Sequence, residues 1–473
     1  MNADEFRRLG HQLVDWVAEY RERIEDRPVM SPARPGEIKS RFPASPPGDG
    51  GHLSEALAFL ERDVVRGITH WNHPAFFAYF PSNTTYASVL ADILASGLGV
   101  QGMSWQTSPA ATEIEEVVMD WLRQMVGLSP AWSGVIHDTA STATLCALLC
   151  AREKASGFSQ QDAGLQAGAP PLVVYASDQG HSSIEKAALL AGFGRSNLRL
   201  IATDAEHALD LRRLERAIET DRAAGRRPAA IVAAIGTTCT TAIDPLAGIA
   251  ELAAQHDAWL HVDAAMAGTA MVLPECRWMW AGVERADSVV FNPHKWMGVG
   301  FDFSAYYVRD PEHLVRVMST NPSYLRTAQD GAVKNFRDWH IQLGRRFRAI
   351  KLWFLLLDIG VEGLRARLRR DLGNARWLKE QVDATVGWER VAPVPLQTVC
   401  FRHVPRELAD DESALAAHNL EIARRINEGG KAYLTPSTLK GRQIIRASIG
   451  SETTERRHVE MLWAALAEAA RSC

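Results

Sequence analysis

Apolar positions at the start of the chain recur at helical spacing. Phe6, Leu9, Leu13, Trp16, Val17 and Tyr20 fall on one face of a predicted amphipathic helix. The Pro- and Gly-rich stretch from Pro32 to Gly51 then predicts extended, irregular chain. Neither piece has a core of its own, so this arm must lie on the main body or on a second subunit. From residue 86 to 350 helical patterns alternate with short apolar runs: Leu172 to Tyr175, Leu198 to Ile201, Ile231 to Ile235, Trp259 to Val262 and Ser288 to Phe291. Such alternation predicts βαβ units and a largely parallel sheet. After a helical segment around residues 345 to 380, three strand-like runs (Thr398 to Arg402, Ala432 to Thr435, Ile444 to Ile449) interleave with helices at 411 to 428 and 453 to 470. The expected architecture is α/β: an N-terminal arm over 1–85, a large domain over 86–350 and a small α+β domain over 351–473.

At 473 residues the chain is too long for a single core. Its hydrophobic fraction of 47% and charged fraction of 23% are ordinary. A net charge of -4 gives no basic surplus, so nucleic acid is not expected as a partner. No apolar run reaches the roughly 20 residues of a membrane helix, and Met1 to Arg8 lacks the apolar core of a signal peptide. A cytoplasmic protein without a membrane partner is expected. Six dispersed cysteines read as thiols rather than a disulfide framework. Cys146 and Cys150 share a helical face, but no second Cys/His pair stands nearby, so packing is expected there and no metal. The basic clusters Arg345-Arg346-Phe347-Arg348 and Arg365 to Arg370 predict solvated helix faces or phosphate and subunit contacts.

The chemistry gathers where apolar runs stop. Asn292-Pro293-His294-Lys295 follows Ser288 to Phe291, and a lysine at the end of a buried strand suits imine formation, because desolvation favours its free amine. The run Trp259-Leu260-His261-Val262-Asp263 ends in an acid in the same way. Pyridoxal 5'-phosphate requires both: a lysine for its aldehyde and a carboxylate that keeps its ring nitrogen protonated. Phosphate favours helix N-termini, and Thr139-Ala140-Ser141 precedes a helical pattern with Leu145, Leu148 and Leu149. Alone, that triplet reads better as a simple helix cap. A hydroxyl-rich turn, Gly236 to Thr241, follows Ile231 to Ile235. His181 precedes a helix for which Ser182 and Glu185 form a predicted capping box, and there it can present its ring to a cofactor's face. The aromatic run Trp71 to Pro81, followed by Met103 and Trp105, is interrupted by prolines, which leaves open either core or substrate wall.

Taken together, Asp178-Gln179-Gly180-His181-Ser182-Ser183, His261-Val262-Asp263-Ala264-Ala265 and Asn292-Pro293-His294-Lys295-Trp296 resemble the motifs of the pyridoxal-phosphate-dependent group II decarboxylases. The resemblance is to the aromatic L-amino-acid (DOPA) decarboxylases, bacterial members especially, and extends through Leu343-Gly344-Arg345-Arg346-Phe347-Arg348. It implies a transferase fold of type I and a homodimer with active sites at the interface. Lys295 would bind the cofactor's aldehyde, Asp263 its ring nitrogen, and His181 its face. Thr139, Ala140 and Ser141 would hold the phosphate side with Asn292 and His294, while Thr238, Asp244 and Ala265 match further cofactor positions. Trp71, Tyr79, Phe80, Pro81 and Ser82 would line the substrate pocket, with His181 and with Met103 from the partner. Tyr324, within Asn321-Pro322-Ser323-Tyr324-Leu325, matches a loop tyrosine that supplies a proton.

The implied reaction is decarboxylation of an aromatic L-amino acid, among DOPA, tryptophan, 5-hydroxytryptophan, tyrosine and phenylalanine. An oxygen-dependent aldehyde synthase on the same scaffold is the alternative; in the family it accompanies loss of the tyrosine or of the stacking histidine. A non-catalytic cofactor-binding subunit is a further reading. An acidic substrate would need a cationic pocket, whereas this wall is aromatic. The animal enzymes generally have glycine, phenylalanine and tyrosine where Asp138, Met103 and Met266 stand, and methionine adapts its shape more readily than a ring. Gly344 agrees with members that accept DOPA or indolic substrates.

Overall fold

In the computed structural model, which describes residues 1–166, 170–320, 322–325 and 329–472, the apolar runs become strands of a seven-stranded sheet. These are β1 (Ser133–His137), β2 (Leu172–Ser177), β3 (Leu198–Ile201), β4 (Arg227–Ala234), β5 (Trp259–Asp263), β6 (Ser288–Phe291) and β7 (Ser304–Val308), in the order β1-β7-β6-β5-β4-β2-β3. β5 and β6 are buried throughout, as expected of central strands covered on both faces.

The sequence pattern passes over two of these strands. β1 mixes Ser, Gly and His with two β-branched residues, and its Gly134 is required by packing: a Cβ there would lie 2.6 Å from the Tyr307 ring and 2.7 Å from Met119 Cε. β7 runs antiparallel to both its neighbours, with Ser304 opposite His137 on one side and Ala305 opposite Phe291 on the other. The sheet is therefore mixed. Because β1 and β6 each oppose β7, β1 runs the same way as β6, β5, β4, β2 and β3. Six strands, β1 to β6, thus deliver their following loops to one edge, and β7 starts there. Helix Ala140–Ser156 packs on this sheet through Ala143, Ala147 and Ala151, all fully buried, whose small side chains at four-residue spacing permit close approach.

The sheet belongs to one of two compact units, Ser82–Leu372 with Ala392–Thr398; the other comprises Met1–Pro81, Gly373–Val391 and Val399–Cys473. In the second unit β8 (Trp388–Arg390), β9 (Thr398–His403), β10 (Thr435–Leu439) and β11 (Arg442–Ser448) form a sheet in the order β10-β11-β9-β8. The apolar run ending at Thr435 is not itself a strand of this sheet. Its Tyr433 exchanges backbone hydrogen bonds with Ala75 and Phe77, so the run pairs with the aromatic segment, and the polar residues after it form the hairpin with β11. The first predicted helix is Ala3–Glu22, with no buried residue. The long helical segment is Ala349–Ala384, with non-helical backbone at Gly360. Among the described residues no helix is long and apolar enough to cross a membrane.

Candidate active site

The shared edge of the large sheet collects the chemistry. Asp263 is the last residue of β5 and 7% exposed; its Oδ1 accepts the Ala265 N–H at 3.0 Å. The Ala265 carbonyl in turn accepts the Asn292 N–H at 2.9 Å, which ties the β5 loop to the β6 loop. Lys295 follows in a tight turn, Pro293–Met297, and is only partly buried. Asn292 Oδ1 lies 2.7 Å from Ser304 Oγ, itself 3.3 Å from the Asp138 carbonyl, so the loops after β1 and β6 meet over the start of β7.

His181 follows the β2 turn. Contrary to the expected Ser182 box, His181 itself caps helix Ser182–Leu190: its Nδ1 accepts the Ser183 N–H at 3.1 Å and lies 2.8 Å from Ser183 Oγ. An imidazole nitrogen with a free lone pair serves as a cap acceptor as well as a serine oxygen does. Because Nδ1 accepts, the neutral ring carries its proton on Nε2. Burial lowers the ring's pKa, the Asp263 carboxylate opposes that, and the Lys295 ammonium adds to it. The charges of Asp263 and Lys295 thus both reach His181, which is held neutral at pH 7.

The predicted phosphate triplet opens helix Ala140–Ser156, with Thr139 as its N-cap, Ala140 buried and Ser141 exposed. Asp138 Oδ1 accepts the Thr139 N–H at 2.7 Å, placing a carboxylate beside the triplet. Thr238 is exposed on the loop after β4. Asp244 is placed differently from a ligand-facing group. It is fully buried, and its two oxygens accept the Ala234 and Leu209 N–H groups at 2.7 and 2.8 Å, so it braces that loop from behind. His294 Nδ1 accepts the Phe303 N–H at 2.9 Å. Ser82 Oγ donates to the His294 carbonyl at 3.4 Å, and the Met103 carbonyl accepts the Arg337 N–H at 2.9 Å.

Within the other unit, Trp71 and Tyr79 stack at 5.6 Å, and Phe76 and Tyr433 join them. The Arg446 guanidinium stands over Phe80 and donates to the Tyr79 carbonyl. Tyr433 and Arg446 were not foreseen, since both lie more than three hundred residues from the run they complete. The backbone of Tyr324 falls in the short turn Ser323–Leu325, and its side chain lies outside the described residues.

The basic clusters are only partly solvated faces: Arg346 and Arg369 are exposed, whereas Arg345 and Arg367 are buried. Arg345 is buried, with Nη2 2.6 Å from Glu115 Oε1 and 2.9 Å from the Ile136 carbonyl at the end of β1. Arg348 pairs with Asp302, and Arg367 Nη2 donates to the Trp296 and Met297 carbonyls. Their partners are distant in sequence, so no local signal marks them.

The donor set fits pyridoxal phosphate: a partly exposed lysine, a carboxylate, a neutral imidazole, and a helix N-terminus flanked by exposed hydroxyls, all on one sheet edge.

Burial around this edge carries a pH cost. It pushes His137 and His261 down to about 4, His294 to about 3 and His340 to about 2. It also pushes Asp244 up to about 7 and Asp371 to about 6. A histidine depressed in the fold stabilises fully above its unfolded value near 6.5 and loses that contribution as pH falls towards the folded value. The raised aspartates act the other way, destabilising as pH rises through 6 to 7. Four histidines outweigh two aspartates. These six groups should therefore contribute a net loss on the order of 5 kcal/mol of stability to the cofactor-free protein between pH 7.5 and 4.5, and His73 and His403, also pushed down to about 4, act in the same direction. Urea unfolding at both pH values measures this, and equal stability would contradict it.

The chain matches the family described as the pyridoxal-dependent decarboxylase conserved domain over residues 35–404. It is 40% identical to the aromatic-L-amino-acid decarboxylase of Sus scrofa over 98% of this chain and 96% of that one. It is 38% identical to the phenylacetaldehyde synthase of Arabidopsis thaliana over 99% and 96%. The crystal structure of Oryza sativa TDC with PLP and tryptamine superposes with a TM-score of 0.96 at 37% identity, covering 100% of this chain and 99% of that one.

Proposed function

This chain belongs to the pyridoxal-dependent decarboxylase family, and from that premise we propose that it releases the α-carboxylate of an aromatic L-amino acid as CO2, leaving the amine, with pyridoxal phosphate as cofactor. The observation that carries the reading is the placement of His181, Asp263 and Lys295 after β2, β5 and β6 on one sheet edge, where burial lowers the imidazole's pKa and the Asp263 and Lys295 charges respectively oppose and reinforce that shift. Bound there, the cofactor supplies a protonated ring that accepts the electrons left as CO2 departs.

The residues divide the remaining work. Lys295 would hold the cofactor aldehyde. Asp263, at the end of a buried strand, would hold the ring nitrogen and favour its protonated form. His181 would lie against the ring face, and its neutral state adds no cation to a site that must keep Lys295 reactive. Thr139, Ala140, Ser141, Thr238, Asn292 and His294 hold the phosphate side, Asp244 bracing the loop that carries Thr238; Ala265 completes the cofactor wall. Trp71, Tyr79, Phe80, Pro81 and Ser82, with Met103, bind and orient the aromatic side chain. Tyr324 delivers a proton to the substrate carbon after CO2 leaves, and exclusion of bulk water keeps that transfer specific.

The working form in this reading is a cytoplasmic homodimer whose first 85 residues serve as the dimerisation arm. Exposed Leu90, Ile93, Leu94 and Leu98 on helix Tyr86–Leu98 support a subunit contact. The buried thiols Cys146, Cys150 and Cys276 support a reducing compartment.

The test is to incubate the cofactor-loaded protein with each aromatic L-amino acid and with histidine, measuring CO2, amine, aldehyde and oxygen together. Equimolar CO2 and amine without oxygen uptake is the expected result and ranks the substrates. Aldehyde with oxygen uptake would instead make the chain a synthase, as the phenylacetaldehyde synthase relative is named. A loaded protein inert to every substrate would leave a cofactor-binding subunit.

A further inference from the structure

The arginine-rich segment Arg365 to Arg370 has no part in the reaction above, yet it reaches the lysine turn. Every backbone carbonyl from His294 to Gly298 is held. The His294 carbonyl accepts from Ser82 Oγ at 3.4 Å, and the Lys295 carbonyl from the Asn83 N–H and Nδ2 at 3.3 and 3.4 Å. Arg367 Nη2 serves the next two together, Trp296 at 2.8 Å and Met297 at 2.6 Å. The Gly298 carbonyl accepts the Thr85 N–H at 3.1 Å. Gly298 sits at φ +92°, and a Cβ there would lie 2.7 Å from Arg367 Nη1, so the glycine both permits the turn and admits the guanidinium. Asp371, one helical turn after Arg367, accepts the Trp296 indole N–H at 2.8 Å; Trp296 and Asp371 are both fully buried.

Two opposite charges buried beneath one turn are costly to desolvate, and an apolar contact of equal volume would hold the fold as well or better. What charged groups add is direction. A planar guanidinium fixes the orientation of two successive peptide groups, and a carboxylate on the indole fixes the side chain next to Lys295. With the peptides after Lys295 immobile, its four-carbon stem starts from a defined point and direction.

We propose that Arg367 and Asp371 are positioning residues for Lys295: by clamping the backbone and side chain of the residues that follow it, they set where its amine stands relative to Asp263 and His181. This rests on the reading that Lys295 holds the cofactor and assigns the cause of its placement to the helix behind the turn.

Borohydride reduction and peptide mapping of the unaltered holoenzyme test the underlying reading first, since label anywhere but Lys295 would defeat it independently of the clamp. Asp371→Leu then removes the indole acceptor, whereas Asp371→Asn keeps one. In Asp371→Leu the visible absorbance of the bound cofactor should titrate at a shifted pH, with kcat lowered about 10- to 100-fold and KM changed less than about 2-fold; Asp371→Asn should restore both. Trp296→Phe combined with Asp371→Leu should be no worse than the poorer single variant, because both remove the same bond. If Asp371→Leu is insoluble, Arg367→Lys takes its place. It keeps the charge but not the planar group that serves two carbonyls, and it should shift the same titration. A wild-type titration and kcat in a folded Asp371→Leu or Arg367→Lys, with only a lower melting temperature, would overturn the proposal.

Discussion

Lys295→Ala is expected to lower amine formation by at least about 10³-fold and to abolish borohydride-dependent retention of the cofactor. The reason is specific to the side chain. The turn around it is held through backbone carbonyls, by Asn83, Arg367 and Thr85, and none of those bonds involves the lysine amine. Truncation at a partly exposed position should accordingly leave the stability of the cofactor-free protein within about 1 kcal/mol of the parent. Paired assays separate chemistry from folding: turnover and covalent labelling collapse while the urea midpoint of the cofactor-free variant stays. Substantial amine production by the alanine variant would sink the assignment of Lys295, and a large loss of stability would mean that the side chain supports the fold.

The second large effect is expected at Asp263. Asn can retain the acceptor for the Ala265 N–H but carries no charge. Asp263→Asn should therefore keep the β5 loop in place while removing the ion that favours a protonated cofactor ring, lowering kcat about 10²- to 10³-fold. The same substitution has a readout in the cofactor-free protein. Asp263 raises the pKa of His181 against burial and against Lys295. Without that carboxylate, the imidazole should titrate at a still lower pH, which NMR of the His181 ring measures directly. An unchanged His181 titration would mean that the two groups are not electrostatically coupled, and near-normal turnover would remove Asp263 from the reaction.

Much of the edge was legible in advance because its signals are local. A strand that ends in Asp263, another followed four residues later by Lys295, and a hydroxyl triplet ahead of helix Ala140–Ser156 are patterns of period and termination. His181 was placed correctly before a helix, but the cap was assigned to Ser182. Sequence rules favour a serine oxygen, whereas in the fold the His181 ring nitrogen accepts the Ser183 N–H. Asp244 matched a cofactor position, yet its fully buried carboxylate holds two backbone amides that sequence could not bring together.

The amino-acid order by itself determined five of the seven strands of the central sheet, which loops carry an acid, a lysine, a histidine and hydroxyls, and the α/β class, because side-chain periodicity and chain termination act over a few residues. Only the tertiary structure decided that β7 is inserted antiparallel between β1 and β6, which brings the Thr139 helix onto the same edge as Lys295. It also turned Arg345, Arg348 and Arg367 of the basic clusters inward, onto Glu115, Asp302 and the carbonyls after Lys295. A buried guanidinium is tolerated only where an acceptor awaits it, and those acceptors come from parts of the chain 46 to 230 residues away.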